Sequence, residues 1–285
     1  MGKNKNMKSL EVNLFDKNFA HSFSEDGFDT TSAGRKPKVM KWVRNNLNYD
    51  GVTVFTDDMM FDSVVDRVNC KLKVGWCQES PAIKPFVYQN VARVENKFDY
   101  ILTFHPDLLK RDPKKYKLQL IASSRVRDED FGVQKKTKPI SIIASNKTFT
   151  VGHQLRHEIV KRLDGVDCWG SGYREFSNKL DPLRDYMFSL AIMNYRIDNY
   201  FTEILTDCCA LGTVPIFWGC PNIGNYFNPE GIITFENIND LFNIKLSKKL
   251  YESKIKAIKE NVEIAKTLSS TDDLVADNIF KLLNQ

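Results

Sequence analysis

The sequence predicts an α/β protein of two domains, each a parallel sheet with crossover helices. Short apolar runs alternate with stretches of helical apolar spacing along nearly the whole chain, the pattern of strand-helix-strand units. With 285 residues, 42% hydrophobic and 12% aromatic, the chain can bury one large core or two modest ones. Between residues 128 and 139, charge, Gly132 and the run QKKTK interrupt the apolar pattern. That interruption reads as a linker dividing the chain into domains 1–138 and 139–285, both of ordinary size.

Strands are expected at 10–15, 52–56, 72–76, 100–104, 118–122, 140–144, 214–218 and 232–235, each a short run rich in aliphatic and aromatic residues. Helical spacing of apolar residues predicts helices over 39–47 and 155–163. Leu250, Ile255, Ile258, Val262 and Ala265 mark the inner stripe of one long basic surface helix, and a last helix follows the capping residues 270–273. Two such domains on a short linker make a cleft, the default place for a ligand held by both.

Fourteen glycines and ten prolines are ordinary usage, which excludes collagen-like and low-complexity chains. The net charge of +5 is a small difference between 41 basic and 36 acidic residues that are interspersed. It is weak evidence for nucleic acid; a basic face could attract a phosphate-bearing small molecule or an anionic surface, and net charge alone does not choose among these partners. No run approaches the roughly 18 apolar residues of a membrane helix. The polar first eight residues are not followed by the apolar core of a secretory signal. Six cysteines without CxxC spacing fit reduced thiols, so a cytoplasmic location is expected. The basic stretches 110–117 and 247–266 read as solvated faces and leave peripheral membrane contact open.

Three constellations with metal-like spacing read as ordinary structure. His153 and His157 stand at i and i+4 with no third ligand nearby. Asp128, Glu129 and Asp130 spell DxD in the charged linker rather than after a strand. Asp57 and Asp58, after VTVFT, are placed to cap a following helix.

The densest chemistry lies in 185–229, where Tyr186 to Asn194 (YMFSLAIMN), Tyr200 to Ile204 (YFTEI) and 215–221 (PIFWGCP) follow one another. This segment resembles the C-terminal, donor-binding domain of the α-1,3-fucosyltransferases, glycosyltransferase family 10, whose members carry a pattern close to YKFxLxFEN, YVTEK and PIYWGxP with the same spacing from Asn194 to Tyr200. Upstream, SIIASN at 141–146, Arg156 in the next helix and DCWGSG at 167–172 look like the family's strand, helix and glycine-bearing strand end. Glu79-Ser80-Pro81 and FDYILTF at 98–104 look like its acceptor-side domain.

The resemblance implies a GT-B-like fold of two Rossmann-like domains facing across a cleft. The implied function is inverting transfer of a sugar from a nucleotide-diphosphate donor, GDP-fucose first, to a glycan hydroxyl, without a metal or other cofactor. It implies Glu79 as the base that removes the acceptor's proton and Arg156 as the cation on the departing diphosphate. Asn146, Gly170, Tyr186, Asn194, Tyr200, Thr202 and Glu203 would bind donor. Tyr200 would pack on the nucleotide and Glu203 accept from ribose hydroxyls beside a helix N-terminus. His105 would contact acceptor. The chain departs from the pattern at Met193, where the family has a glutamate, and at Ile204, where it has a lysine expected to hold the diphosphate. Either Arg174, Arg184 or Arg196 substitutes, or the donor is bound differently, or activity is impaired. Another nucleotide sugar, or a nucleotide- or glycan-binding protein without turnover, are the alternatives.

Overall fold

A computed structural model describes residues 9–17 and 36–284. It contains two compact units, Met1–Ile121 with Ser270–Gln285, and Ala122–Ser269.

In the first unit, the strands β1 (Leu10–Phe15), β2 (Met40–Arg44), β3 (Val52–Thr56), β4 (Leu72–Trp76), β5 (Tyr100–Thr103) and β6 (Tyr116–Leu118) form an all-parallel sheet in the order β2-β1-β3-β4-β5-β6. Helices α1 (Val64–Arg67), α2 (Pro85–Val94) and α3 (Pro106–Arg111) connect them. Alternate side chains leave each strand on opposite faces. Phe15, Phe55 and Ile101 pack with Val87 and Val91 of α2, whereas Val12, Leu14, Val54, Val74 and Leu102 form a second core on the other face.

The second unit carries β7 (Lys138–Ile143), α4 (Val151–Arg162), β8 (Asp167–Trp169), β9 (Tyr186–Ile192), α5 (Glu203–Ala210), β10 (Val214–Trp218), β11 (Ile233–Thr234), α6 (Ile238–Phe242), α7 (Lys248–Ser253) and α8 (Ile255–Thr267). Its sheet is also parallel, ordered β11-β10-β9-β7-β8. One face buries Ile140, Ile142, Phe188, Leu190, Ile192, Val214 and Ile216 against α4 and the later helices. The other face carries Ser141 and Ser189, whose hydroxyls are 3.0 Å apart, and these small residues let α5 lie close over β9 and β10.

Helix α9 (Thr271–Leu283) corrects the expected division, in which all the C-terminal helices belong with 139–285. Its stripe Val275, Ala276 and Ile279 completes the second core of the first unit. The Asp272 carboxylate accepts from Trp42 Nε1 at 2.9 Å, and Asp273 accepts from the backbone N–H groups of Lys38 and Val39. At the other boundary, 122–138 belongs with the second unit and is no free linker. Gly132 N–H donates to the Ala210 carbonyl, and the Lys136 ammonium donates to Arg184 O, Leu211 O and Thr213 Oγ1.

Other expectations also change. Residues 39–47 form no helix: Met40 and Trp42 alternate inward on β2, and the spacing 39, 42, 43, 47 is compatible with either period. The strand expected at 118–122 ends at Leu118, beyond which Gln119 N–H still reaches Thr103 O at 2.9 Å. The long basic helix is two helices, α7 and α8, parted at Lys254, where Tyr251 turns inward to donate to Gly212 O. The six cysteines are unbridged. Among the described residues, no helix is long and apolar enough to cross a membrane.

Candidate active site

In a doubly wound sheet, ligands lie outside the carboxyl ends of the strands, where successive crossovers leave in opposite directions. In the second unit that point lies between β7 and β9, because the chain passes outward to β8 and then back to the far side of β7. The residues following β7 and β9 therefore frame it, together with the N-termini of α4 and α5. Thr150 caps α4 by accepting from His153 N–H, and Thr202 caps α5 by accepting from Ile204 N–H.

Arg156 reaches this edge because Gly152, one turn earlier on α4, lets the helix press onto β9. A Cβ at Gly152 would stand 1.7 Å from Met193 O, so only glycine fits. The Arg156 guanidinium is buried and donates from Nε to Ile192 O at 3.0 Å, with Nη2 on the same carbonyl. Burial lowers its pKa to about 10, opposed by the negative charge of Glu203 and then by Tyr200. It is still a cation at neutral pH. Arg156, Tyr200 and Glu203 thus form one electrostatic group, although Arg156 stands 44 or more positions before the other two in sequence.

Tyr200 is not open for stacking on a base: it is buried, and its hydroxyl donates to Asn194 Oδ1 at 2.9 Å. Asn199, in the left-handed region at φ 64°, aims it, and the Asn199 carboxamide is braced by Asn222 and Tyr226. Tyr200 and Asn194 therefore stiffen the edge. Gly170, with φ 110°, would place a Cβ 2.0 Å from Ala144 O, so its role is close packing of the β8 end on the β7 end. Asn146 is exposed on the loop after β7. Tyr186 stands apart from the group. It begins β9, about 20 Å from that strand's carboxyl end at ~3.3 Å per residue, and its hydroxyl donates to Asp167 at 2.6 Å. Met193 is buried against Gly219, so apolar packing occupies the position of the family's glutamate.

The three arginines expected to replace the missing lysine are engaged elsewhere. Arg196 pairs with Glu236 at 2.6 Å, Arg184 with Asp185 at 3.5 Å, and Arg174 lies 4.0 Å over the Trp169 ring. Arg125, which the sequence did not single out, instead pairs through Nη2 with Glu203 Oε1 at 2.9 Å. Lys179, exposed but partly desolvated, has its pKa lowered by that desolvation and by Arg125 and raised by Asp207 and Glu203. The spacing of Glu203 and Asp207, one turn apart on α5, was the available signal for this cluster.

In the first unit, Glu79 lies on the loop after β4. Asp57 does not cap a helix as expected. Its buried carboxylate accepts from Gln78 N–H at 2.8 Å and Glu79 N–H at 3.2 Å, and its own backbone sits at φ 42°. Burial raises its pKa to about 7, with Glu79 and Asp16 adding to the rise. Tyr88 donates to Glu79 O at 2.5 Å, and its ring lies 5.2 Å from that of His105. The structure therefore gathers Glu79 and His105 around Tyr88. His105 caps α3, accepting at Nδ1 from Asp107 N–H, and burial lowers its pKa. Thr56 Oγ1, Trp76 Nε1 and Ser80 Oγ at this edge are buried without a hydrogen-bond partner among the described residues.

The residues of metal-like spacing make other contacts. Both ring nitrogens of His157 are engaged, with Tyr173 Oη and Lys147 O, and burial lowers the His153 pKa to about 4. Asp128, Glu129 and Asp130 form a 3-10 turn, and no cluster of His, Cys, Asp or Glu able to hold a metal occurs among the described residues.

Residues 133–252 match the C-terminal domain of glycosyltransferase family 10 (fucosyltransferase). The matched span lies within the second unit. A curated relative, the α-(1,3)-fucosyltransferase FucT of Helicobacter pylori, is 31% identical over 108 residues, 36% of this chain and 22% of that protein. The chain thus matches about a fifth of that relative's length. Two solved structures of α1,3-fucosyltransferase, one with GDP and one with GDP-fucose, share the fold at 16% identity. Their TM-scores are 0.54 and 0.52, covering 96% and 94% of this chain and 90% and 92% of theirs. The two parallel-sheet units are therefore GT-B-like, and Arg156, Tyr200 and Glu203 lie within the span that matches the family model.

Proposed function

We propose that the protein is an inverting glycosyltransferase that moves fucose from GDP-fucose to a glycan hydroxyl. The observation that carries this reading is the group formed by Arg156 and Glu203 at the switch point of the family 10 domain, a cation and a carboxylate beside a capped helix N-terminus. Glu203 accepts from ribose hydroxyls, and Arg156 faces the diphosphate as negative charge develops on it. The acceptor oxygen attacks C1 of the sugar, the bond from C1 to the phosphate oxygen breaks, and GDP leaves with its electron pair. The acceptor's proton passes to the Glu79 carboxylate. Asp57 and Tyr88 hold the backbone of Glu79 from either side, which fixes the loop that presents it. His105, beside Tyr88, contacts acceptor.

Met193 and Ile204 favour a second reading, the same chemistry with another nucleotide sugar, because both change charge near the donor. An assay of GDP release separates them. With GDP-fucose and a panel of oligosaccharides, we expect GDP release that rises with acceptor concentration. Turnover of a UDP-sugar but not of GDP-fucose would transfer the assignment to the second reading. Nucleotide binding without release for any pair would leave a binding protein.

A further inference from the structure

We propose that Arg125 and Lys179 hold the donor's diphosphate in this chain. This rests on the donor-binding reading above and names the cations of that same site.

The geometry is specific. Arg125 lies just before the family 10 match, and tertiary bonds fix it on α5. Its backbone N–H donates to Asp207 Oδ1 at 2.8 Å, and the same oxygen accepts from Ser124 Oγ at 2.8 Å. Thr206 Oγ1 donates to Ser123 O, so three consecutive residues of the segment are tied to the helix. Asp207 is one turn beyond Glu203, and anchoring the backbone at Asp207 lets the Arg125 side chain run back to Glu203 at the helix N-terminus. Nη2 of the fork lies 2.9 Å from that carboxylate.

Lys179 is exposed on the loop after β8, with its ammonium 5.0 Å over the Phe176 ring. It interacts with Arg125, Asp207 and Glu203. Asp207 is buried and its own charge is already opposed by desolvation, which raises its pKa to about 6. Arg125 pairs directly with Glu203, and Lys179 and Arg156 also act electrostatically on that carboxylate, so positive charge is left over beside the N-terminus of α5. Such a concentration of cations attracts a polyanion rather than a neutral sugar. Arginine's planar fork also suits phosphate oxygens. Ile204 adds no charge there, and the arginines at 174, 184 and 196 are engaged elsewhere.

The test compares GDP with guanosine, displacing a fluorescent GDP analogue from the full chain, in wild type, Arg125→Ala, Lys179→Gln and each combined with Ile204→Lys. We expect Arg125→Ala and Lys179→Gln each to weaken GDP about tenfold, with guanosine changed less than about twofold. Ile204→Lys should recover most of the loss in either background. Lys179 is exposed, so its variant keeps the fold even if Arg125→Ala lowers the melting temperature. GDP affinity unchanged in both variants, or GDP and guanosine falling in parallel, would overturn the assignment while leaving the donor site standing. Wild type that binds neither GDP nor the analogue would overturn the donor-site reading and this assignment with it.

Discussion

Replacing Glu79 by glutamine is expected to leave GDP affinity unchanged while sugar transfer falls by about 10²- to 10⁴-fold, the usual contribution of a positioned base. The side chain's shape and the backbone bonds to Asp57 and Tyr88 are retained, because both partners hold the main chain of Glu79 rather than its carboxylate. The loop should therefore keep its conformation and the loss should fall on kcat. Single-turnover transfer measured beside GDP binding checks this. Transfer at wild-type rate would place the base elsewhere, and a parallel loss of GDP affinity would mean that Glu79 acts on the donor.

The second large effect is at Arg156. Arg156→Ala is expected to slow transfer by two to three orders of magnitude, the scale set by removing one preorganised donor from developing negative charge. Removing the guanidinium also deprives the Ile192 carbonyl of both its Arg156 bonds, and an orphaned buried acceptor costs about 1–3 kcal/mol. A lower melting temperature should accompany the loss. Arg156→Lys separates the two effects: it keeps a cation and can still reach the carbonyl but lacks the fork, so stability should recover more than transfer does. Transfer that recovers in step with stability would reduce Arg156 to a structural residue.

Central strands were legible because their pattern has one solution. Residues 10–15, 52–56, 72–76 and 214–218 became β1, β3, β4 and β10 at the expected bounds. Edges were less determined. The apolar residues of 39–47 satisfy a helix or an edge strand, and pairing with β1 decides for β2. The stripe of α9 could be read from residue spacing, but an apolar stripe does not say which sheet it covers. Asp272 and Asp273, bonded to the start of β2 and to Trp42, make that choice.

The site divides in the same way. The helix N-terminus at Thr202 and Glu203 was local and legible, whereas Arg156 came from the resemblance to the family and not from spacing. The resemblance implied Tyr200 as a surface for the nucleotide beside a helix N-terminus, yet its hydroxyl bonds Asn194 and its ring is buried. Arg125 acts on Glu203 across 78 positions, and Asp57 on Glu79 across 22. No periodicity in the sequence encodes such contacts; only the folded sheet brings them together.

Calorimetric titration of the full chain with GDP tests most directly whether the proposed donor site grips a nucleoside diphosphate around Arg156 and Glu203. One GDP should bind per chain, and Glu203→Ala should weaken that binding by about tenfold or more, as loss of a charged acceptor does. Absence of binding heat across several temperatures, or equal affinity in Glu203→Ala and wild type, would contradict it.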